Sequence, residues 1–271
     1  MNTLRLERDE HIGWLHLNRP DKLNSFTIEM WRELRELGEE LVDDAGLRAL
    51  VVVGEGRAFS SGIDTSVFSG GGTDELGDDN QRGTRHEDPT VDSIMATQDS
   101  FTWLAEAPFA TIAAVRGYAL GAGLQLALAC DIRIVARGAQ MGLLEFKYGI
   151  LPDLGGTQRL PRLVGSGKAK ELIFTAQRID ADEAFRIGIA EQLVDDSELD
   201  KTAGELAAAI ATQPPLALRG AKRAINAGTE LSVRDGLRVE AEAQAGCLRS
   251  DDMKEAIAAF MEQRPPDYHG R

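Results

Sequence analysis

The sequence predicts an α/β fold in which short buried strands alternate with helices, followed by a region of helices alone. Three observations support this prediction. Residues 50–53 are apolar without alternation, which is typical of a strand whose sheet is covered on both faces. Residues 110–115 form a second run of this kind, which leads into a glycine-rich turn and a segment that is apolar on nearly every side. After Asp195, apolar residues recur at helical spacing only.

The composition limits the size and the partners of the protein. With 271 residues, 43% of them hydrophobic, the chain is long enough for one large domain or for one domain with a helical extension. The formal net charge of -14 disfavours a nucleic-acid partner. An anionic ligand must therefore be met locally, by a few basic side chains or by backbone N–H groups.

Targeting and metal signals are weak throughout the sequence. The first ten residues are charged and lack the apolar stretch of a signal peptide, and no apolar run reaches membrane-spanning length. Cys130 and Cys247 have neither metal-ligand spacing nor a disulfide framework around them. We therefore expect a cytoplasmic protein with no membrane partner, and the scattered histidines predict no metal site.

Apolar spacing and capping residues predict the remaining elements before Asp195. They are a hairpin over 4–17, a helix over 27–42 with Thr27 as its N-cap, a helix over 92–106, and strands over 132–136 and 192–194. Asp180 and Glu183 resemble a capping box at the start of a short helix that Gly188 ends. Residues 65–91 are rich in Gly, Asp and Ser and too long for a plain connector, so we expect a loop that orders in part over a ligand.

The chain after Asp195 reads as helices over 197–212, 215–226, 232–248 and 251–263. Pro214 and Pro215 suit a hinge followed by the first turn of a helix. These patterns predict two parts, a mixed core over 1–195 and a helical region over 196–271.

Two glycine turns suggest a ligand site. Gly117, Gly121 and Gly123 follow the strand at 110–115 and allow a sharp turn with close approach to a ligand. The first amides of the helix that follows have no intrahelical partner, so the turn is able to bind an anionic oxygen. A turn needed only for packing explains these glycines equally well. A second turn upstream, at Gly62, favours the ligand interpretation.

Four segments, taken together, resemble the signature of one family. They are Asn-Arg-Pro-Asp-Lys-Leu-Asn at 18–24, Ala-Phe-Ser-Ser-Gly-Ile-Asp at 58–64, Gly-Tyr-Ala-Leu-Gly-Ala-Gly at 117–123 and Gly-Gly-Thr-Gln-Arg-Leu at 155–160. In this order and at these spacings they are similar to the crotonase superfamily, the enoyl-CoA hydratase/isomerase family, over essentially the whole chain. The resemblance implies a crotonase-like spiral of ββα units with a helical C-terminal region that assembles trimers, often paired into hexamers.

The resemblance also implies a chemistry for the two turns. Members of that family bind an acyl-CoA thioester and pass through an enolate-like state whose charge falls on the thioester oxygen. By position, the backbone N–H groups of Ile63 and Ala122 receive this charge. Coenzyme A is then part of the substrate, and no separate cofactor is expected. The other residues that the resemblance assigns to substrate and CoA binding are Lys22, Leu23, Arg57, Ser61, Gly62, Asp64 and Gly121, with Lys22 and Arg57 as candidate phosphate contacts.

The acid–base residues depart from the pattern of a two-glutamate hydratase. Gln125 stands at the position of the first glutamate and Glu145 at the position of the second. A neutral amide orients water by hydrogen bonds but does not take up a proton at ordinary pH. Asp153 follows Glu145 at the offset where dienoyl-CoA isomerases of the family carry an aspartate.

We therefore predict a double-bond isomerisation. Glu145 removes and returns a proton, Asp153 assists at the distal carbon, and Gln125 hydrogen-bonds substrate or water. The first alternative is hydration of a 2-enoyl-CoA by Glu145 with a water held by Gln125. Another reaction of the family, such as thioester hydrolysis or C–C bond cleavage, is the second. A CoA-binding protein without catalysis is the third, and it is expected only if Glu145 lies far from Ile63 and Ala122.

Overall fold

The structure, a computed structural model, describes residues 1–69 and 86–271. Its strands are β1 (Leu4–Asp9), β2 (Ile12–Leu17), β3 (Ala49–Gly54), β4 (Ala110–Val115), β5 (Tyr118–Leu120), β6 (Ile132–Ala136), β7 (Gln140–Gly142), β8 (Ile179–Asp180) and β9 (Gln192–Val194). Its helices are α1 (Ile28–Val42), α2 (Ser66–Ser69), α3 (Pro89–Glu106), α4 (Ala122–Ala129), α5 (Gly156–Thr175), α6 (Ala181–Arg186), α7 (Leu199–Ala211), α8 (Pro215–Ala227), α9 (Val233–Arg249) and α10 (Asp251–Glu262).

Most of these strands belong to one mixed sheet. Its order is β1-β2-β3-β4-β6-β9, and the β1–β2 hairpin is its antiparallel pair, whereas the other pairs are parallel. A small sheet, β5-β7-β8, stands beside it. Strands alternating with helices, as the sequence predicted, give the parallel pairing because a parallel connection needs a crossover. The α/β prediction is confirmed.

Several local predictions are confirmed as well. The Thr27 side chain accepts a hydrogen bond from the Met30 amide (3.3 Å) at the start of α1. Asp180 caps α6 through the Glu183 amide (2.8 Å), and Gly188 follows the end of that helix with a φ of 83°. Helix α3 begins at Pro89, a few residues before the predicted start. The predicted loop over 65–91 lies mainly outside the described residues.

The main sheet is buried on both faces. Leu50 and Val52 of β3 face a large core that also holds the apolar sides of α1, α3 and α4. Ala49 and Val51 point the other way and contact α7, whose Ala203 and neighbours along the same face are fully buried. The uninterrupted apolar strand is thus explained, because each of its faces meets a different layer of helices.

The helices after the predicted boundary at 195 differ in how they pack against the core. Helix α7 completes the sheet core, since its small alanines lie flat against the strands. By contrast, α8 buries only Pro215 and α9 buries no side chain. Lys222 fastens α8 to the core by donating to the Leu104 and Phe109 carbonyls (2.9 Å each) and by pairing with Asp131 (2.8 Å). Of the predicted helical region over 196–271, the helices with a largely unburied surface begin near Pro215.

Among the described residues, no helix is both long enough and apolar enough to span a bilayer.

Candidate active site

The backbone brings the two predicted glycine turns into contact. The Ser60 amide donates to the Tyr118 carbonyl (2.8 Å), and the Leu120 amide donates to the Ser60 carbonyl (3.0 Å). The two segments therefore run side by side in parallel as far as their glycines. A Cβ atom added to Gly62 would lie 3.8 Å from the Gly121 Cα atom, and one added to Gly121 would lie 3.9 Å from the Gly62 Cα atom.

Both glycines adopt backbone conformations that L-residues rarely take. The φ angle is 104° at Gly62 and 53° at Gly121. These conformations turn the chain sharply, so that Ile63 and Ala122 follow on from adjacent points. Within the described part of the chain, neither the Ile63 N–H nor the Ala122 N–H has an acceptor. Two free donors from neighbouring turns, one of them at the start of the buried helix α4, form a site able to stabilise an oxyanion.

Glu145 lies against one of these turns. It begins the 3-10 helix Glu145–Tyr148 and is only 5% exposed. A Cβ atom on Gly121 would stand 3.3 Å from its Oε1 atom, so the carboxyl group borders the residue that precedes Ala122. Burial raises the pKa of Glu145 to about 7, and the nearby Asp153 carboxylate acts in the same direction, whereas a hydrogen bond from Gln125 opposes the rise. Near neutral pH this group is able both to accept and to return a proton.

The Gln125 side chain hydrogen-bonds to protein groups, whereas the sequence predicted a hydrogen bond with substrate or water. Its side chain is buried in α4, where its Nε2 atom donates to Glu145 Oε1 (2.8 Å). Its Oε1 atom accepts from the Gly156 amide (2.9 Å), the first residue of α5. The amide therefore acts on the glutamate, because its position between two elements commits both of its polar atoms to protein groups.

Asp153 is half-buried in the loop that leads from Glu145 to α5. Its backbone carbonyl accepts from Gln98 Nε2 of α3 (2.6 Å), and burial raises the pKa of its carboxyl group. Its own backbone amide hydrogen-bonds to this carboxylate and opposes the rise, and within the described residues no other residue pairs with it. No sequence pattern indicated this contact of Gln98, because Gln98 lies on a helix far away in the chain.

The predicted phosphate contacts lie on two loops that meet. The Ser61 amide donates to the Leu23 carbonyl (2.9 Å), and a Cβ atom on Gly56 would touch the Pro20 side chain at 3.0 Å. Lys22 and Arg57 project from these loops and are exposed, without an ion-pair partner among the residues that the structure describes. Both cations are therefore free to meet an anionic ligand.

Asp64, predicted to contribute to CoA binding, uses its side chain for contacts within the protein. Its carboxylate pairs with Arg19 (3.0 Å) and accepts from the Ser25 hydroxyl (3.2 Å) and the Ser66 amide (3.1 Å). These hydrogen bonds hold the pKa of Asp64 far below its usual range. The carboxylate is committed to closing the turn after Ile63, and it helps to fix that turn in place.

Asn24 is a structural residue of the site that the sequence analysis did not single out. It is fully buried with a φ of 54°, and its side chain donates to the Glu55 carbonyl (2.9 Å) and the Ala58 carbonyl (2.8 Å). It also accepts from the Arg19 amide (2.8 Å). The sequence signal for Asn24 was its place in the segment at 18–24, the first of the four segments that resemble the family.

A buried carboxyl group beside two free backbone amides, on an α/β scaffold, has the groups needed to transfer a proton and to stabilise an oxyanion. Comparisons with known proteins identify the kind of protein. The enoyl-CoA hydratase/isomerase family model matches residues 7–271, and the chain belongs to this family, the crotonase superfamily, and has its fold.

Individual relatives agree with this assignment. The chain is 38% identical over 265 residues to the short-chain-enoyl-CoA hydratase of Clostridium acetobutylicum, covering 97% of this chain and 96% of the relative. It is similar to the crystal structure of enoyl-CoA hydratase from Bacillus anthracis, with a TM-score of 0.89, 35% identity and coverage of 99% and 100%. It is also similar to a Thermobifida fusca protein solved in complex with acetoacetyl-CoA, with a TM-score of 0.79, 38% identity and coverage of 91% and 95%.

Proposed function

We propose that this enzyme moves the double bond of an unsaturated acyl-CoA thioester. The observation that carries the proposal is the arrangement of Gln125, whose two polar atoms are bound to Glu145 and Gly156. The site therefore offers no second glutamate to activate water. The carboxyl groups that have free oxygen atoms near the glycine turns are those of Glu145 and Asp153, as far as the structure describes the chain.

In the proposed reaction, the amides of Ile63 and Ala122 bind the thioester oxygen of a β,γ-unsaturated acyl-CoA. Glu145 removes a proton from the α-carbon, and the electron pair of the broken C–H bond delocalises to give a dienolate. The negative charge on the thioester oxygen is stabilised by the two N–H groups, each worth about 10²–10³ in rate in measured oxyanion holes. Return of the proton to the γ-carbon gives the α,β-unsaturated product. With a dienoyl substrate, Asp153 assists at the more distal carbon.

Hydration is the second candidate, and the names of the relatives favour it. The Clostridium acetobutylicum relative is a short-chain-enoyl-CoA hydratase, and a Syntrophomonas wolfei relative at 35% identity is a crotonyl-CoA hydratase. In that reaction Glu145 would act alone on a water molecule, because the Gln125 amide does not accept a proton. We therefore expect hydration to be much slower than isomerisation.

Two substrates distinguish these reactions. The enzyme is incubated first with a β,γ-enoyl-CoA or a dienoyl-CoA and then with an α,β-enoyl-CoA, and products are separated by chromatography. We expect a shifted double bond from the first and little 3-hydroxyacyl-CoA from the second. Rapid formation of 3-hydroxyacyl-CoA, with no shift of the double bond in the first incubation, would refute the isomerase proposal in favour of the hydratase.

The phosphate end of CoA is proposed to contact Lys22 and Arg57. Replacing both by Ala is expected to raise the KM for acyl-CoA about 5- to 30-fold at low salt, because each exposed phosphate contact contributes about 0.5–1 kcal/mol. The difference should shrink as the ionic strength rises. Steady-state kinetics at two salt concentrations measure it.

A paired control for this prediction is Lys201→Ala with Lys254→Ala, which removes two exposed lysines on α7 and α10. It should leave KM unchanged. An equal loss of affinity in both double variants would assign the effect to net charge and not to the two loops.

The family resemblance further supports a trimer or a pair of trimers. The helices after Pro215 expose large apolar side chains, among them Ile225 (71%), Val233 (83%) and Phe260 (83%), which a second copy of the chain would cover. We expect light scattering to give a mass three or six times the 29.4 kDa of one chain. Phe260→Asp should shift this mass towards the monomer, whereas Lys201→Asp should not, and a monomeric native enzyme would contradict the proposal.

A further inference from the structure

The orientation of the Gln125 amide is fixed by its neighbour on α5. The Gly156 amide lies 2.9 Å from one polar atom of the Gln125 side chain. A backbone N–H only donates, so that atom must be the carbonyl oxygen of the glutamine. The NH₂ group must then point the other way, at Glu145 Oε1, from which it is separated by 2.8 Å.

This orientation has a consequence for the two oxygens of Glu145. Oε1 accepts a hydrogen bond from the Gln125 NH₂ group, which donates and does not accept. A proton on Oε1 would therefore point at another donor. Oε2 is buried and, within the described residues, has no hydrogen-bond partner. A proton taken up by Glu145 is therefore stable on Oε2 and disfavoured on Oε1.

We propose that Gln125 is a positioning residue that confines the transferable proton of Glu145 to the Oε2 atom. This proposal rests on the proposed function, because isomerisation needs one group that removes a proton from one carbon and returns it to another. With Oε1 held by Gln125, a single oxygen performs both steps. The C–H bond at the α-carbon breaks, the Oε2–H bond forms, and the reverse exchange at the γ-carbon regenerates the carboxylate. The proton is retained because Oε2 has no hydrogen-bond partner among the described residues to pass it to.

The charges around Glu145 are few. Gln125 on α4 stabilises the ionised form by hydrogen bonding, and Asp153 on the following loop disfavours it. The Glu145 backbone amide also stabilises the ionised form by hydrogen bonding. A change at position 125 is therefore expected to act directly on the ionisation of Glu145.

The first test replaces Gln125 by Glu, which keeps the size of the side chain and the acceptor for the Gly156 amide. Two adjacent carboxyl groups then share one proton, and they titrate as a pair in which one of the two pKa values is raised. We measure the pH dependence of α-proton exchange between a saturated acyl-CoA and D₂O, a reaction that needs the base and the two amides but neither isomerisation nor hydration. The profile of Gln125→Glu should move upward by about one pH unit or more relative to the native enzyme.

The control for this test is Gln213→Glu, which adds the same charge at an exposed position at the end of α7. Its profile should match that of the native enzyme. A folded Gln125→Glu variant with an unshifted profile would overturn the proposal, even if the enzyme proves to be an isomerase.

The second test uses the native enzyme, so it does not depend on the folding of a variant. An α-deuterated β,γ-enoyl-CoA is isomerised in ordinary water, and mass spectrometry and NMR measure deuterium at the γ-carbon of the product. Transfer through one shielded oxygen predicts that most of the label is retained, and Gln125→Glu should lower this retention because the second carboxyl group offers the deuteron another site. Complete loss of label from the native product would overturn the proposal. An enzyme that yields no isomerised product would refute the proposed function instead and would leave the exchange profile to decide the role of Gln125.

Discussion

Glu145→Gln should lower kcat by about 10³-fold, because general acid–base catalysis contributes about 10²–10⁴ and the amide of glutamine does not accept a proton. Glutamine has the same shape as glutamate, so the variant should still bind acyl-CoA with the native affinity. The backbone turn at Gly121 is unchanged and the amides of Ile63 and Ala122 remain free. Single-turnover kinetics and calorimetric titration with a CoA thioester measure the two properties separately.

The same substitution should stabilise the protein at alkaline pH. The usual pKa of this group, 4.5, is raised to about 7 in the folded state, so the folded protein binds the proton more tightly than the unfolded chain. Ionisation of buried Glu145 therefore destabilises the fold increasingly as the pH rises from 4.5 to 7 and fully above 7, by about 3 kcal/mol at most. Glu145→Gln removes that cost, so its free energy of unfolding should exceed the native value at pH 8 by about 1–3 kcal/mol and should approach it near pH 4.5.

Urea unfolding at the two pH values measures this difference, with Glu205→Gln, an exposed glutamate on α7, as the control. The kinetic counterpart is a kcat that rises with pH through about 7, as the ionised base becomes populated. A Glu145→Gln enzyme that turns over at the native rate would remove Glu145 from the mechanism. If the stability difference is the same at both pH values, burial of the charge is not its cause.

Structure was most predictable from residue type and spacing where the controlling interactions are local. The strand at Ala110–Val115 needs only its own apolar residues, and the Thr27 and Asp180 caps need a partner three residues away. The sharp turns at Gly62 and Gly121 were predictable for the same reason, since a positive φ is a property of single residues. Residue type and spacing therefore carry enough information for this part of the site.

Long-range contacts account for the interactions that the sequence did not predict. The carboxylate of Asp64 is used by Arg19 and Ser25, which lie on a distant loop, so no local pattern indicates that it is occupied. The predicted role of Gln125 changed because the Gly156 amide approaches it from the start of another helix. In each case the residue type was informative about chemistry, but the partner depends on how separate turns come together.

Helix α7 illustrates the same limit at the level of packing. Its small buried face, with Ala203 and Ala207, reads in the sequence as part of a helical tail. Only the completed sheet shows an uncovered face, formed by residues such as Val51 and Ile112, against which such a flat helix fits. The sequence carries the amphipathic pattern but not the identity of the surface that the pattern meets.

Gly121→Ala should lower kcat by about 10²–10³-fold, the cost measured when one donor of an oxyanion hole is lost. The glycine has φ 53° and ψ -121°, a conformation that costs a residue with a Cβ atom about 1–3 kcal/mol. The new methyl group would also lie 3.3 Å from Glu145 Oε1. Relief of this strain either rotates the peptide group between Gly121 and Ala122 or displaces the Glu145 carboxyl group. The Ala122 N–H then no longer points at the thioester oxygen, or the base no longer lies beside the α-carbon.

The control variant Gly138→Ala separates the effect of backbone strain on stability from the effect of site geometry on kcat. Gly138 has a φ of 86° but is exposed, and a Cβ atom there would meet nothing within 4 Å. This control should lose stability by a comparable amount in urea unfolding while keeping the native kcat. For Gly121→Ala we expect the loss to fall on kcat more than on KM, because the donors act mainly on charge that develops in the transition state. If both variants keep the native kcat despite their lower stability, the Ala122 amide is not the group that stabilises the enolate.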